Sequence, residues 1–189
     1  MIGILLCGGR GTRLEFITSV VNKHVLPIYD KPMLWYPMKS LLDAGCDDLI
    51  VVIGGDHKAT TKYIAEKCFA DLSYQSIGLH FVEQKDESSG LMGIAHALKC
   101  VEDTVWNLDD VTKDSDGLFI ALGDNITNLD FELLKQVHHN RAHIWLYKVP
   151  KHQAKRFGVA VFDSENEDAL ISIAEKPETP PSSLAVTGF

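Results

Sequence analysis

The sequence predicts an α/β protein: a Rossmann-like, mostly parallel sheet flanked by helices, with an antiparallel extension near the C-terminus. Three observations carry this expectation. Short apolar runs at Ile2–Leu6, Asp48–Ile53 and Leu118–Leu122 are each followed by glycine, the pattern of strands buried on both faces. Segments with helical periodicity lie between them. Strand and helix alternate in order, which implies βαβ units and a parallel sheet.

Each element has its own local reason. Ile2–Leu6 feeds the glycine-rich stretch Gly8-Gly9-Arg10-Gly11. Pro32 suits the first turn of a helix running from Met33 to Ala44, with Gly45 as its stop. Asp48–Ile53 ends at Gly54-Gly55, and a helix over His57–Phe69 places Ile64 and Cys68 one turn apart. Gly78–Glu83 is a third strand. Gly93–Thr104 puts Ile94, Ala97, Leu98 and Val101 on one helical stripe. Leu118–Leu122 runs into Gly123-Asp124-Asn125. A helix from about Asp130 to His139 then leads to a strand over Ala142–Val149. Gly158–Asp163 and Ala169–Ala174 read as an antiparallel pair around the polar turn Ser164-Glu165-Asn166-Glu167. No repeat, low-complexity run or linker interrupts the 189 residues, so one domain is expected.

Composition excludes several classes. A chain 46% hydrophobic and 23% charged is ordinary for a globular protein and buries a core without disulfide or metal staples. The formal net charge of −8 argues against nucleic-acid or anionic-membrane partners. No apolar run approaches the roughly 20 residues needed to span a bilayer. The hydrophobic N-terminus lacks the basic region of a signal peptide. Cys7, Cys46, Cys68 and Cys100 form no CxxC pair, so four reduced, buried thiols and a cytoplasmic location are expected.

In open α/β sheets, ligands bind at the carboxyl ends of the strands, which directs attention to the loops after Leu6, Ile53, Glu83 and Leu122. Gly8-Gly9-Arg10-Gly11-Thr12-Arg13-Leu14 holds three glycines and two arginines. Such glycines allow backbone N–H groups to converge on an anion. The arginines add planar, permanently charged donors for phosphate oxygens. Lys23 follows, presented by a segment that Pro27 stiffens. A Walker loop needs a lysine directly after its glycines, and a dinucleotide fingerprint needs glycine where Leu14 stands, so neither fits. Gln84, at a strand end, carries the donor and acceptors that read a pyrimidine edge. Gly93 lets a base approach the backbone, and Gly90 competes for that role. Asp124, just past a buried strand, is a natural Mg2+ ligand. Glu175-Lys176, taken alone, reads as a solvated ion pair. His139 and His143 stand four apart, but the helix is expected to end between them, which disfavours a zinc site. His24 follows Lys23, where contact with a nucleotide is conceivable, but no role is assigned to it.

Gly8-Gly9-x-Gly11-Thr12-Arg13-Leu14, followed by Thr18, Lys23 and Pro27, resembles the nucleotide-binding signature of the sugar-1-phosphate nucleotidylyltransferases. Asn22 to Met33 is similar to their thymidylyltransferase branch, which makes dTDP-glucose from glucose 1-phosphate. Leu122-Gly123-Asp124-Asn125, Phe157-Gly158-Val159, Glu175-Lys176-Pro177 and Ala185-Val186-Thr187-Gly188 occur in that family in the same order. Glu15-Phe16 departs from it, standing where an aromatic residue and a proline are usual.

The resemblance implies Mg2+-dependent transfer of a nucleotidyl group from dTTP or UTP to a sugar 1-phosphate. Gly8, Gly9, Gly11, Thr12 and Arg13 would hold the β- and γ-phosphates, and Lys23 would neutralise the α-phosphate region. Asp124 would hold the metal, and Gln84 with Gly93 would hold the base. Leu122, Gly158, Glu175, Lys176 and Val186 would bind the sugar, with Lys176 placing the attacking phosphate. The nucleotide-binding half would then cover about 1–125 and a partial sugar-binding half about 126–189. A homo-oligomer is compatible, since family members are commonly multimeric.

Members of that family run on past the position of Phe189. They supply a second metal ligand, an aspartate in a tryptophan-containing motif, whereas Trp35, Trp106 and Trp145 stand elsewhere. The expectation is a chain truncated at its C-terminus that binds nucleotide better than it turns over. The alternative reading is a nucleotide-binding, catalytically weak or regulatory homologue.

Overall fold

A computed structural model describes residues 1–9, 15–74, 76–85, 93–105, 117–127, 143–163 and 169–188. Contacts divide the chain into two compact units, Met1–His139 and Asn140–Phe189.

The first unit begins with β1 (Ile2–Cys7), a short helix α1 (Glu15–Thr18) and a 3-10 turn at Lys23–Val25. A ribbon of β2 (Pro27–Ile28) and β3 (Lys31–Pro32) precedes α2 (Trp35–Asp43). Then come β4 (Asp48–Gly54), α3 (Lys58–Leu72), β5 (Gly78–Gln84), α4 (Ile94–Val105) and β6 (Leu118–Leu122). The main sheet has the order β5-β4-β1-β6 and is parallel throughout. The chain therefore winds outward from β1 through β4 to β5, then returns to lay β6 on the other side of β1. That reversal makes the carboxyl ends of β1 and β6 a topological switch point, where α/β sheets bind ligands.

Every residue of β1 is buried, because both faces of the sheet are covered. On one face Ile2, Ile4, Leu6, Ile50, Val52 and Val82 pack with Ala97 and Val101 of α4. On the other, Gly3 leaves room for Leu41 of α2 together with Leu49 and Cys46. Full burial of one such aliphatic side chain contributes about 1.5–3 kcal/mol.

The helix expected from Met33 begins instead at Trp35. Pro32 is used by the ribbon, and the next two amides are already committed: Met33 N–H donates to Leu26 O (2.9 Å) and Leu34 N–H to His24 O (2.8 Å). The ribbon turns at Tyr29, whose φ of 59° lies in the left-handed region. Gly45, with φ of 86°, ends α2 as expected. The third helix runs on to Leu72 and stops at Ser73, another left-handed residue.

The second unit contains β7 (Leu146–Lys148), α5 (Lys151–Ala154), β8 (Gly158–Phe162), β9 (Leu170–Glu175) and β10 (Leu184–Val186). Its sheet order is β7-β10-β8-β9, with every pairing antiparallel. The expected hairpin pair is β8 and β9. The strand expected over 142–149 is only three residues long, matching the three residues of β10 that pair with it. The expected helix ending at His139 and the Ser164–Glu167 turn lie outside the described residues.

All four cysteines are free; Cys7, Cys46 and Cys68 are buried, whereas Cys100 is only half-buried. No described helix is long and apolar enough to cross a membrane.

Candidate functional site

Six of the residues expected to handle nucleotide come together at the switch point. Lys23, in the 3-10 turn, reaches Asp124 just past β6, with Nζ 2.5 Å from Oδ2. Gly9 adjoins this pair: a β-carbon on it would lie 3.8 Å from Lys23 Cε. Gly8 is buried against Gln84, where a β-carbon would come within 2.2 Å of Oε1. Only glycine leaves that oxygen its place. Gln84 closes the group through its Nε2, which donates to Gly93 O at 3.2 Å. Gly93 has φ of 132° and nothing within 4 Å of the position a β-carbon would take. Gly11, Thr12, Arg13 and the competing Gly90 lie outside the described residues. The Leu122 side chain packs against the core, leaving its main chain at the strand end.

Beneath the ion pair lies a buried polar wedge that the sequence reading left without a role. His24 is 2% exposed. Its Nδ1 donates to Asn22 Oδ1 (2.7 Å), which also accepts from the His24 amide (2.9 Å). Asn22 Nδ2 in turn donates to Cys7 O at 3.1 Å, fastening the turn to the end of β1. The ring is pressed against Gly123, where a β-carbon would stand 2.8 Å from His24 Cδ2 and 2.5 Å from Cys7 Sγ. Adjacency to Lys23 and a glycine directly before Asp124 were the signals available for it.

Electrostatics follow from this packing. Burial pushes the His24 imidazole down to about 4, aided by the Lys23 charge. It is therefore neutral at physiological pH. Burial pushes the Asp124 carboxyl up, but the hydrogen bond and charge of Lys23 outweigh it and hold the carboxyl below its ordinary range. Burial, then the Asp124 charge, raise the Cys7 thiol far above its usual value, which leaves it inert. Among the described residues no three metal-ligating side chains stand together. A single ionised carboxylate suits Mg2+ held mainly by phosphates and water, rather than a metal enclosed by protein.

Of the residues expected to bind sugar, Gly158, Glu175, Lys176 and Val186 cluster within the second unit, whereas Leu122 ends β6 in the first. Gly158 faces Glu175 in register, and a β-carbon on Gly158 would lie 3.1 Å from Glu175 Oε2 and 3.9 Å from Val186 Cβ. Lys176 follows with φ of 44°, its amide donating to Phe157 O at 3.0 Å. Its Nζ lies 2.8 Å from Glu175 Oε1, and both side chains are exposed.

A parallel sheet with an ammonium and a carboxylate at its switch point defines an α/β domain suited to phosphate chemistry. The chain belongs to the nucleotidyl transferase family, which it matches over residues 2–189. It is 37% identical over 193 residues to a glucose-1-phosphate thymidylyltransferase of Neisseria gonorrhoeae and 36% over 195 residues to that of Neisseria meningitidis. Both alignments take in the whole chain, which spans 60% of the length of these relatives. The UTP–glucose-1-phosphate uridylyltransferase of Haloferax volcanii is 31% identical over 192 residues, covering 100% of this chain and 70% of that protein. Among solved structures, one assigned as a glucose-1-phosphate thymidylyltransferase from Bacillus anthracis, in complex with sucrose, superposes with a TM-score of 0.77. That comparison has 30% identity and covers 100% of this chain and 70% of the other.

Proposed function

We propose that this chain transfers a nucleotidyl group from dTTP or UTP to a sugar 1-phosphate, foremost glucose 1-phosphate, in a Mg2+-dependent reaction that releases pyrophosphate. The observation that carries the reading is the Lys23–Asp124 pair at the β1/β6 switch point, with Gln84 and Gly93 alongside. The thymidylyl- and uridylyltransferase relatives support the reaction class and both bases.

A phosphate oxygen of the sugar 1-phosphate attacks the α-phosphorus, and the bond from that phosphorus to the pyrophosphate oxygen breaks. The nucleophile is already ionised, so no general base is required. The protein supplies alignment and charge neutralisation. Lys23 moves from Asp124 to the α-phosphate oxygens. Arg13 and the amides of Gly8, Gly9, Gly11 and Thr12 hold the β- and γ-phosphates. Glu175 accepts from sugar hydroxyls, Lys176 holds the attacking phosphate, and Leu122, Gly158 and Val186 offer main-chain groups. Mg2+, when bound at Asp124, supplies further neutralisation of the phosphates.

The test is a pyrophosphate-release assay crossing four nucleoside triphosphates with glucose 1-phosphate and other sugar 1-phosphates, with and without Mg2+. Release with dTTP or UTP that needs both sugar phosphate and metal is expected. Tight dTTP binding without any release would favour the regulatory alternative.

A further inference from the structure

Among the described residues the Gln84 carboxamide is tied at one end only. Its Nε2 donates to Gly93 O and to His96 Nδ1, both at 3.2 Å. A carbonyl only accepts, so the amide nitrogen must face Gly93. The same nitrogen then requires a lone pair on His96 Nδ1, which puts the ring proton on Nε2. That atom lies 3.6 Å from Cys100 Sγ, one turn further along α4. Donation thus runs in one direction, from Gln84 to His96 and from His96 to Cys100. Gly93 O is itself fixed, because it also accepts the first helical bond of α4, from Ala97 N–H at 3.1 Å. Both amide hydrogens are spent inside the protein. What remains is Oε1, an acceptor, lying against the backbone of Gly8 and without a hydrogen-bond partner among the described residues.

We propose that His96 is a positioning residue for base selection: by taking one amide hydrogen of Gln84, it leaves Oε1 as the group offered to the base. The site then favours a pyrimidine whose N3 carries a hydrogen, as in uracil and thymine. Cytosine has a lone pair at N3 and meets Oε1 only through its exocyclic amine, which displaces the ring from the position that aligns the α-phosphate. A glutamine free to rotate end for end would offer a donor or an acceptor and lose this discrimination. The inference rests on the nucleotidyl-transfer reading above and adds how the base is chosen.

Three measurements test it. In the ligand-free chain, the imidazole 15N shifts of His96 should report the Nε2–H tautomer; the Nδ1–H tautomer would overturn the proposal whatever the enzyme's substrate. In calorimetry, UTP should bind at least tenfold more tightly than its N3-methyl derivative, and equal binding would overturn it. The UTP-to-CTP ratio of kcat/KM should fall at least tenfold in His96→Leu, mainly through KM. His96→Asn, which keeps an acceptor near the Nδ1 position, should restore part of it. An unchanged ratio in a folded His96→Leu chain would overturn the proposal. If the wild-type chain binds no nucleoside triphosphate while the tautomer is as stated, the nucleotidyl-transfer reading fails and base selection falls with it.

Discussion

Lys23 Nζ lies 2.5 Å from Asp124 Oδ2, joining the turn that follows β1 to the end of β6 across the switch point. The two side chains are 25% and 35% exposed, so the pair contributes little to stability, on the order of 0–1 kcal/mol. Its importance is chemical. In the proposed reaction an arriving triphosphate would draw the ammonium away and leave the carboxylate available to a cation.

Lys23→Ala should therefore lower the rate by about 10²–10³ while barely moving Tm. Steady-state pyrophosphate release and a melting curve on the same preparation check this. A near-wild-type rate would remove Lys23 from the mechanism.

Acid should destabilise the first unit through His24. Its imidazole has a folded pKa of about 4, below its ordinary 6.5. Between those values the unfolded chain binds the proton and the folded chain does not, so stability falls as pH drops from 6.5 towards 4. The loss is on the order of 3 kcal/mol across that window. Asp124 acts lower: its depressed carboxyl stabilises the fold above the ordinary carboxylate range, and that contribution fades as pH falls through the folded pKa. Urea titrations at several pH values should show the His24 slope flattened in His24→Asn. Identical slopes in both chains would contradict the assignment.

Gly8→Ala should displace the Gln84 carboxamide, since the added methyl would fall 2.2 Å from Oε1. Nucleotide affinity should drop at least tenfold. In Gln84→Ala the same glycine substitution has little left to strike, so a double-mutant cycle on dTTP affinity should show strong coupling. Additive effects would mean that the two residues do not act together.

Lys176 holds a left-handed backbone that costs a non-glycine residue roughly 1–2 kcal/mol. Lys176→Gly relieves this strain and removes the ammonium. It should melt no earlier than wild type yet lose sugar-phosphate turnover. Retained activity would show that the charge is dispensable.

Much of this was legible in the sequence, and the exceptions share a cause. The parallel strands announce themselves because burial on both faces demands continuous apolar runs such as Ile2–Cys7. Gly8, Gln84 and Asp124 stand out because each ends or closely follows a strand, whereas Lys23 stands out only as part of the signature that the glycine-rich stretch opens. The β2–β3 ribbon does not. Its two-residue strands contain Pro27 and Pro32, its turn uses Tyr29 rather than glycine, and its outer side is fastened by tertiary contacts. Lys31 and Trp35 both donate to Asp71 near the end of α3, at 2.7 and 2.9 Å. His96 was equally hidden, since its importance depends on Gln84 meeting the first turn of α4. The three-residue β10 lacks the length for a periodic signal.

The strand order also sets a timetable. β1 leaves the ribosome before the other strands of its sheet, but its partner β6 begins only at Leu118, and Asp124 follows. At a synthesis rate of about 5–20 residues per second, several seconds separate Lys23 from its carboxylate. Through that interval one edge of β1 is exposed and the Lys23–Asp124 pair does not exist. Non-local parallel pairing of this kind is slow to form. The ability to bind nucleotide should therefore appear abruptly during translation, once β6 docks, rather than growing with the length of the nascent chain.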